Sequence, residues 1–411
     1  MKRTLWTRNF ILLVLGQASS LFGNLILRLA LSMYLLEVTG SAAVFAGILS
    51  AAALPTIILS PLGGVLADRV NRRRLMVLLD ALTGAFVLAA ALLLPVAGGI
   101  AVATGLLIAL SVLGAFETPT VQACIPAMLA GDDIIRGNAV VNQIASVSAL
   151  VAPMLGGALY AALGLGPVMH ASVGCFWVTA LLECFIRLEP QKARPRQGAV
   201  AVIIGDLGES LRFLVQEQPD ILRLLLLAAL SSFFVMGVAV VGMPYLVRTV
   251  LGLDAVWYGG AESAMAAAAI AGSAWAGLTA GGPRPGRLSR LFAAIGAALL
   301  PAGVLFLFPA GPGLRYAGLV LSCCGMQWAV SAFSVLAVSL IQQRTPMAMM
   351  GRVMACVSAA TLCAQPLGQL LYGLLFDGFR ELSALVLLPT AGAVWALGTA
   401  SGGFLRRMEE D

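Results

Sequence analysis

Charge is scarce in this sequence. Asp, Glu, Lys and Arg make up 11% of 411 residues, against roughly 25% in a soluble globular chain. So few charges cannot clothe a water-soluble body of this size, and a soluble fold is excluded. Histidine occurs once, as His170, and the seven cysteines show neither a CxxC pair nor a Cys/His spacing. A zinc site and a disulfide framework are therefore not expected, and neither is any other metal or cofactor. No phosphate-cradling glycine loop is present, since Gly98-Gly99 reads as a turn, so work driven by ATP hydrolysis is not expected. An intramembrane enzyme would need a nucleophile, base or metal set that one histidine and scattered cysteines do not supply.

What is present is apolar. Hydrophobic residues reach 60%, with 45 glycines and a mean hydropathy of +0.97. A glycine-rich, charge-poor composition is that of packed transmembrane helices, because glycine lets helix backbones approach closely. Cutting at charges, prolines and glycine clusters predicts twelve spans, at about 10–36, 42–66, 75–95, 99–120, 138–160, 168–187, 222–246, 256–280, 289–309, 315–341, 353–376 and 383–405. Of the 25 Lys and Arg, 21 fall in alternate joints on one side. Only Arg248, Arg315 and Arg380 fall on the other, and Arg28 alone lies within a span. Positively charged joints stay in the cytoplasm, so both termini are expected there. The same bias accounts for the net charge of +6 without nucleic acid as a partner. The start, Met1-Lys2-Arg3, precedes an apolar run reaching Leu36 with no cleavage signature, and reads as a retained first span.

The longest polar stretch, 188–221, divides the chain into an N-terminal six-helix half (1–187) and a C-terminal half (222–411). Within that linker Leu207, Leu211 and Leu214 recur at helical spacing, predicting a short amphipathic helix along the interface. The halves resemble each other at an offset near 212. Ser19-Ser-Leu-Phe22 matches Ser231-Ser-Phe-Phe234, Gly47 matches Gly259, and Pro153-Met-Leu-Gly-Gly matches Pro366-Leu-Gly-Gln. An ordered internal repeat places the working site at the interface of the halves.

In the first span Gln17, Ser20, Asn24 and Arg28 fall within an arc of about 80° at 100° per residue. An arginine at mid-bilayer costs roughly 2.5–3.5 kcal/mol, so this stripe must face water or protein; an arginine snorkelling outward or locked to a structural partner is the other reading. Asp80 and Glu117 lie part-way into adjacent spans three and four. Carboxylates held there are candidate proton carriers, although Asp80 is also placed to partner an arginine of the loop before it. Glu37 and Glu183 stand at span ends and read as interfacial.

Between spans two and three runs Gly64-Val-Leu-Ala-Asp68-Arg69-Val-Asn71-Arg72-Arg73-Arg74. Gly64 suits close helix approach, Asp68 can accept from a helix N-terminus, and the arginines can pair with acids or lipid phosphates. This string resembles the loop 2–3 signature of the major facilitator superfamily, G-x-L-A-D-R-x-G-R-K/R, with Asn71 in place of the second glycine. The resemblance extends over the chain: twelve spans, a 6+6 repeat, a central linker and short loops. It is similar in detail to the macrolide-efflux and siderophore-exporter branch, through Pro126 with Arg136-Gly-Asn138, Pro346 with Gly351-Arg352, and Pro366-Leu-Gly-Gln-Leu-Leu-Tyr-Gly373. A degenerate second copy, Gly281-Gly-Pro-Arg-Pro-Gly-Arg287, occupies loop 8–9.

The resemblance implies that Gly64, Asp68, Arg69, Arg72 and Arg73 form a cytoplasmic latch. It also implies a substrate cavity lined by Gln17, Asn24 and Arg28, with Ser231, Ser232, Gln327 and Trp328 from spans seven and ten. Ala152-Pro153-Met-Leu-Gly156-Gly157 is similar to the G-P-x-x-G-G antiporter motif. Pro153, Gly156, Gly157, Pro366 and Gly368 are expected to serve helix packing. The span-four arginine of many proton-coupled relatives is replaced by Leu110. The expected activity is that of a secondary transporter rather than an enzyme. It would be a monomer in the inner membrane, exporting an amphipathic drug, antibiotic or siderophore against protons carried by Glu117 and Asp80. A metabolite importer or facilitator, or a non-transporting scaffold, are the alternatives.

Overall fold

The computed structural model describes residues 5–96, 98–188, 214–216, 218–279, 285–347 and 349–410. These residues are helical throughout, and no strand occurs among them. The first six helices are α1 (Arg8–Thr39), α2 (Ala42–Arg69), α3 (Arg72–Leu93), α4 (Gly99–Met128), α5 (Asp132–Leu163) and α6 (Leu165–Cys184). Next, α7 runs from Pro219 to Val250 and α8 from Ala255 to Leu278. Helix α9 comes in two pieces, Pro285–Ala297 and Leu300–Leu307, and is followed by α10 (Pro312–Arg344), α11 (Met350–Gly378) and α12 (Ala384–Glu410). Eleven of these are long and apolar enough to cross a membrane. The exception is α8, whose 24 residues reach about 36 Å but are dominated by Ala and Gly. The amphipathic helix expected around Leu207 and Leu211 lies outside the described residues.

Helix ends follow local chemistry. Asn71 caps α3, its side chain accepting the Arg74 amide at 3.2 Å, which frees the chain to turn within two residues of α2. Gly40 (φ 59°) and Gly164 (φ 76°) make the turns after α1 and α5, in a left-handed region that a side chain would strain.

The chain forms two compact units. The first holds α1, α2 from Ala51 onward, α3 to α6 and the Asp254–Ser263 start of α8. Here α1 packs between α5 and α6, and α3 between α4 and α6. Small residues and hydroxyls permit this closeness: Thr179 donates to the Gly16 carbonyl at 3.0 Å, and Ser172 to that of Gly23 at 3.1 Å.

The second unit holds the Gly40–Ser50 start of α2, α7, α8 from Ala264, and α9 to α12. In it α7 widens into π-turns over Met236–Gly242 and Leu246–Val250. Two causes converge. Pro244 supplies no N–H and clashes with the turn before it, and a Cβ at Gly237 would lie 2.1 Å from the Tyr372 ring and one at Gly242 2.5 Å from that of Phe376. Rings of α11 thus lie against the bare backbone of α7, an irregularity that periodicity does not reveal.

Candidate functional site

Three carboxyl groups from three helices gather in the first unit, two of them on one hydroxyl of a fourth helix. Ser20 of α1 donates to Asp80 Oδ1 of α3 at 3.0 Å, and its oxygen stands 3.3 Å from Glu117 Oε1 of α4. Glu183, in the last turn of α6, lies in side-chain hydrogen-bonding contact with Asp80. It also borders α1, where a Cβ at Gly16 would lie 4.0 Å from Glu183 Oε1. Asp80 and Glu183 are each 1% exposed, whereas Glu117 is half-buried. Asp80 Oδ2 and both oxygens of Glu183 are buried and receive no hydrogen bond from a hydroxyl, amide or cation.

This arrangement joins two expectations and adds a third residue to them. Asp80 and Glu117, read separately as proton carriers, share Ser20. Glu183 stands at the end of α6, where the contact with α1 buries its carboxyl group. The signal for it lies in the sequence of α6, where Ser172, Thr179 and Glu183 fall within about 40° on a helical wheel. This polar face meets Gly16 and Gly23 of α1.

The rest of the α1 stripe divides. Gln17 is 6% exposed with Nε2 unpartnered. Arg28 is exposed, and its Nε donates to Asn24 Oδ1 at 2.7 Å, one turn back. Its guanidinium is within electrostatic reach of Glu117. The stripe therefore runs from a buried end at the carboxyl cluster to an exposed cationic end.

Of the loop 2–3 residues, Arg72 donates to the carbonyls of Ala67 at 3.1 Å and Ala123 at 3.0 Å, tying α2, α3 and α4 together. Arg73 donates to the Cys184 carbonyl. The side chains of Gly64, Asp68 and Arg69 lie outside the described residues. Arg73 and Arg74 also edge an open groove of about 520 Å³ lined by Val77, Leu78, Ala81 and Cys184.

In the second unit Ser231 is buried and donates to the Ala228 carbonyl at 2.7 Å. Ser232, Gln327 and Trp328 are half-buried. Trp328 meets Trp275 with ring centroids 5.1 Å apart, and α8 approaches its backbone so closely that a Cβ on Gly272 would lie 2.2 Å from the Trp328 carbonyl.

The packing residues sit at close helix crossings. Gly156 faces Ile26 of α1, and Gly157 faces Ala255 and Gly259 of α8. Gly368 faces the Phe233 carbonyl, which a Cβ would approach to 2.1 Å. The Pro366 carbonyl accepts from Ser50 at 3.1 Å, and the Pro153 carbonyl lies against Gly259.

Comparison with known proteins bears on the family and the fold. The family model described as Major Facilitator Superfamily matches residues 13–369. Macrolide efflux protein A of Streptococcus pyogenes is 25% identical over 383 residues, covering 90% of both chains. The enterobactin exporter EntS of Citrobacter koseri is 25% identical over 332 residues, 76% of this chain and 71% of that one. Among solved structures, a bacterial homologue of the iron transporter ferroportin in an inward-facing state superposes with a TM-score of 0.71 at 18% identity. It covers 97% of this chain and 98% of that chain.

Proposed function

The chain belongs to the major facilitator superfamily of membrane transporters, and from that premise we propose that it exports an amphipathic small molecule in exchange for protons. The observation that carries coupling is the Asp80–Glu117–Glu183 cluster around Ser20. Ionising a buried carboxyl group with no cation beside it costs several kcal/mol, and three ionised together also repel one another. Binding protons relieves the cost, and a group that binds protons differently in two states converts a gradient into work. Each proton crossing 100 mV supplies about 2.3 kcal/mol. Glu117 is the entry member, since it alone of the three is half-exposed, and it precedes Pro119, which removes one helix hydrogen bond.

The exporter direction rests on the relatives named for macrolide efflux and enterobactin export. The substrate class follows from the same names together with the lining assigned to the cavity. In the first unit Asn24 and Arg28 offer polar and cationic groups, and in the second Trp328 with Ser232 and Gln327 offers an aromatic face with hydrogen-bonding neighbours. Such a mixture suits a molecule with a large apolar body and a few polar groups. Asp68, Arg69, Arg72 and Arg73 act as the cytoplasmic latch, α8 is the twelfth span, and the protein works as a monomer in the inner membrane with both termini in the cytoplasm.

A panel of macrolides, cationic dyes and siderophores, measured for accumulation in cells with and without the protein, tests this reading. At least one compound should accumulate less when the protein is present, and a protonophore should abolish the difference. Equal accumulation of every compound would contradict export. A difference that survives the protonophore would contradict proton coupling.

A further inference from the structure

Three buried oxygens, Asp80 Oδ2 and both of Glu183, have no donor, although the two carboxyl groups are in hydrogen-bonding contact. Two carboxylates cannot bond to each other, because each only accepts. Like charges in contact, shielded from water, repel strongly. One proton between them resolves both difficulties, turning a repulsive pair into a carboxylic acid donating to a carboxylate. We infer that Asp80 and Glu183 hold a single proton between them, and that the Ser20 hydroxyl is the gate through which protons pass between Glu117 and the pair.

The surroundings fit one proton. Around the pair α1 presents Ser20, α4 presents Glu117 and Cys124, and α6 presents Thr179 and Cys184. Arg28 acts on Glu117 and Arg72 on Cys124, and Arg73 of α3 donates to the carbonyl of Cys184, the residue after Glu183. Ser20 has one hydroxyl proton and two carboxylate neighbours, at 3.0 and 3.3 Å. A proton arriving on Glu117 Oε1 can pass to the Ser20 oxygen as the hydroxyl's own proton passes to Asp80 Oδ1. The pair then carries no charge, Glu117 one negative charge, and Ser20 is unchanged. The gate rests on the proton-coupled reading above; the shared proton does not.

Infrared spectroscopy of the purified full-length protein tests the pair without a substrate. At neutral pH the wild type should show the carbonyl stretch of a protonated carboxylic acid. Asp80→Asn and Glu183→Gln should each remove that same band, and the double variant should remove no more. Additive losses, or a band untouched by either variant, would overturn the shared proton. If Asp80→Asn fails to elute as a folded species, Glu183→Gln and Glu183→Asp decide: the first must lose the band and the second retain it, displaced. Ser20→Ala should keep the band but slow its deuterium exchange several-fold, and exchange at the wild-type rate would overturn the gate. A shared-proton band in a protein that fails the export panel would sink the transport reading and leave the pair standing.

Discussion

The Asp377 carboxylate of α11 accepts the Ala42 amide at the start of α2, Oδ1 lying 2.8 Å from the nitrogen. Its other oxygen accepts the Ala43 amide at 3.1 Å and the Ser41 hydroxyl. A helix N-terminus leaves its first amides without partners, and here a residue 335 positions away caps them. Because the dipole of α2 also favours negative charge there, Asp377→Ala should lower stability by about 1–2 kcal/mol. Thermal unfolding in detergent reads this as a lower midpoint, and an unchanged midpoint would contradict the cap.

Glycines at repeat-related positions should respond with opposite sign. A Cβ at Gly259 would lie 2.2 Å from the Pro153 carbonyl, whereas one at Gly47 meets nothing within 4 Å. Gly259→Ala must push α8 off α5 and should cost about 1–3 kcal/mol. Gly47→Ala keeps its contacts and gains helix propensity, up to about 1 kcal/mol. The same unfolding assay should move the two midpoints in opposite directions.

Much of the fold was legible because hydropathy and arginine placement are one-dimensional signals. The cut at 42–66 anticipates α2, and the cut at 256–280 anticipates α8, within a few residues. The helices mostly run longer than the cuts, since α4 continues through Pro119 and Pro126 to Met128, where charge and proline suggested an end. The carboxyl site was half legible. Asp80 and Glu117 stand out as acids inside apolar runs, and Ser20 belongs to the α1 stripe. Glu183 was masked by its place at the end of a span, because depth in a membrane depends on what packs beside a helix end. Neither the Asp377 cap nor the π-turns of α7 has a local signature; both depend on residues of another helix.

Asp68 belongs to the loop motif on sequence grounds, and its proposed role is to favour one of two conformations. A residue that biases populations without touching substrate changes rate more than binding. Asp68→Asn should therefore slow transport of the compound identified by the export panel several-fold in proteoliposomes while leaving its equilibrium binding within about twofold. Transport at the wild-type rate would contradict the latch.

The central claim, that Glu117 admits the protons that drive export, is tested most directly in inside-out vesicles given an acidic interior. Wild-type vesicles should accumulate the labelled compound identified by the export panel while the gradient lasts. Glu117→Gln, which keeps the side chain's size but cannot ionise, should show no gradient-driven accumulation and yet exchange labelled for unlabelled compound at equal concentrations. Accumulation by Glu117→Gln at the wild-type rate would contradict the account.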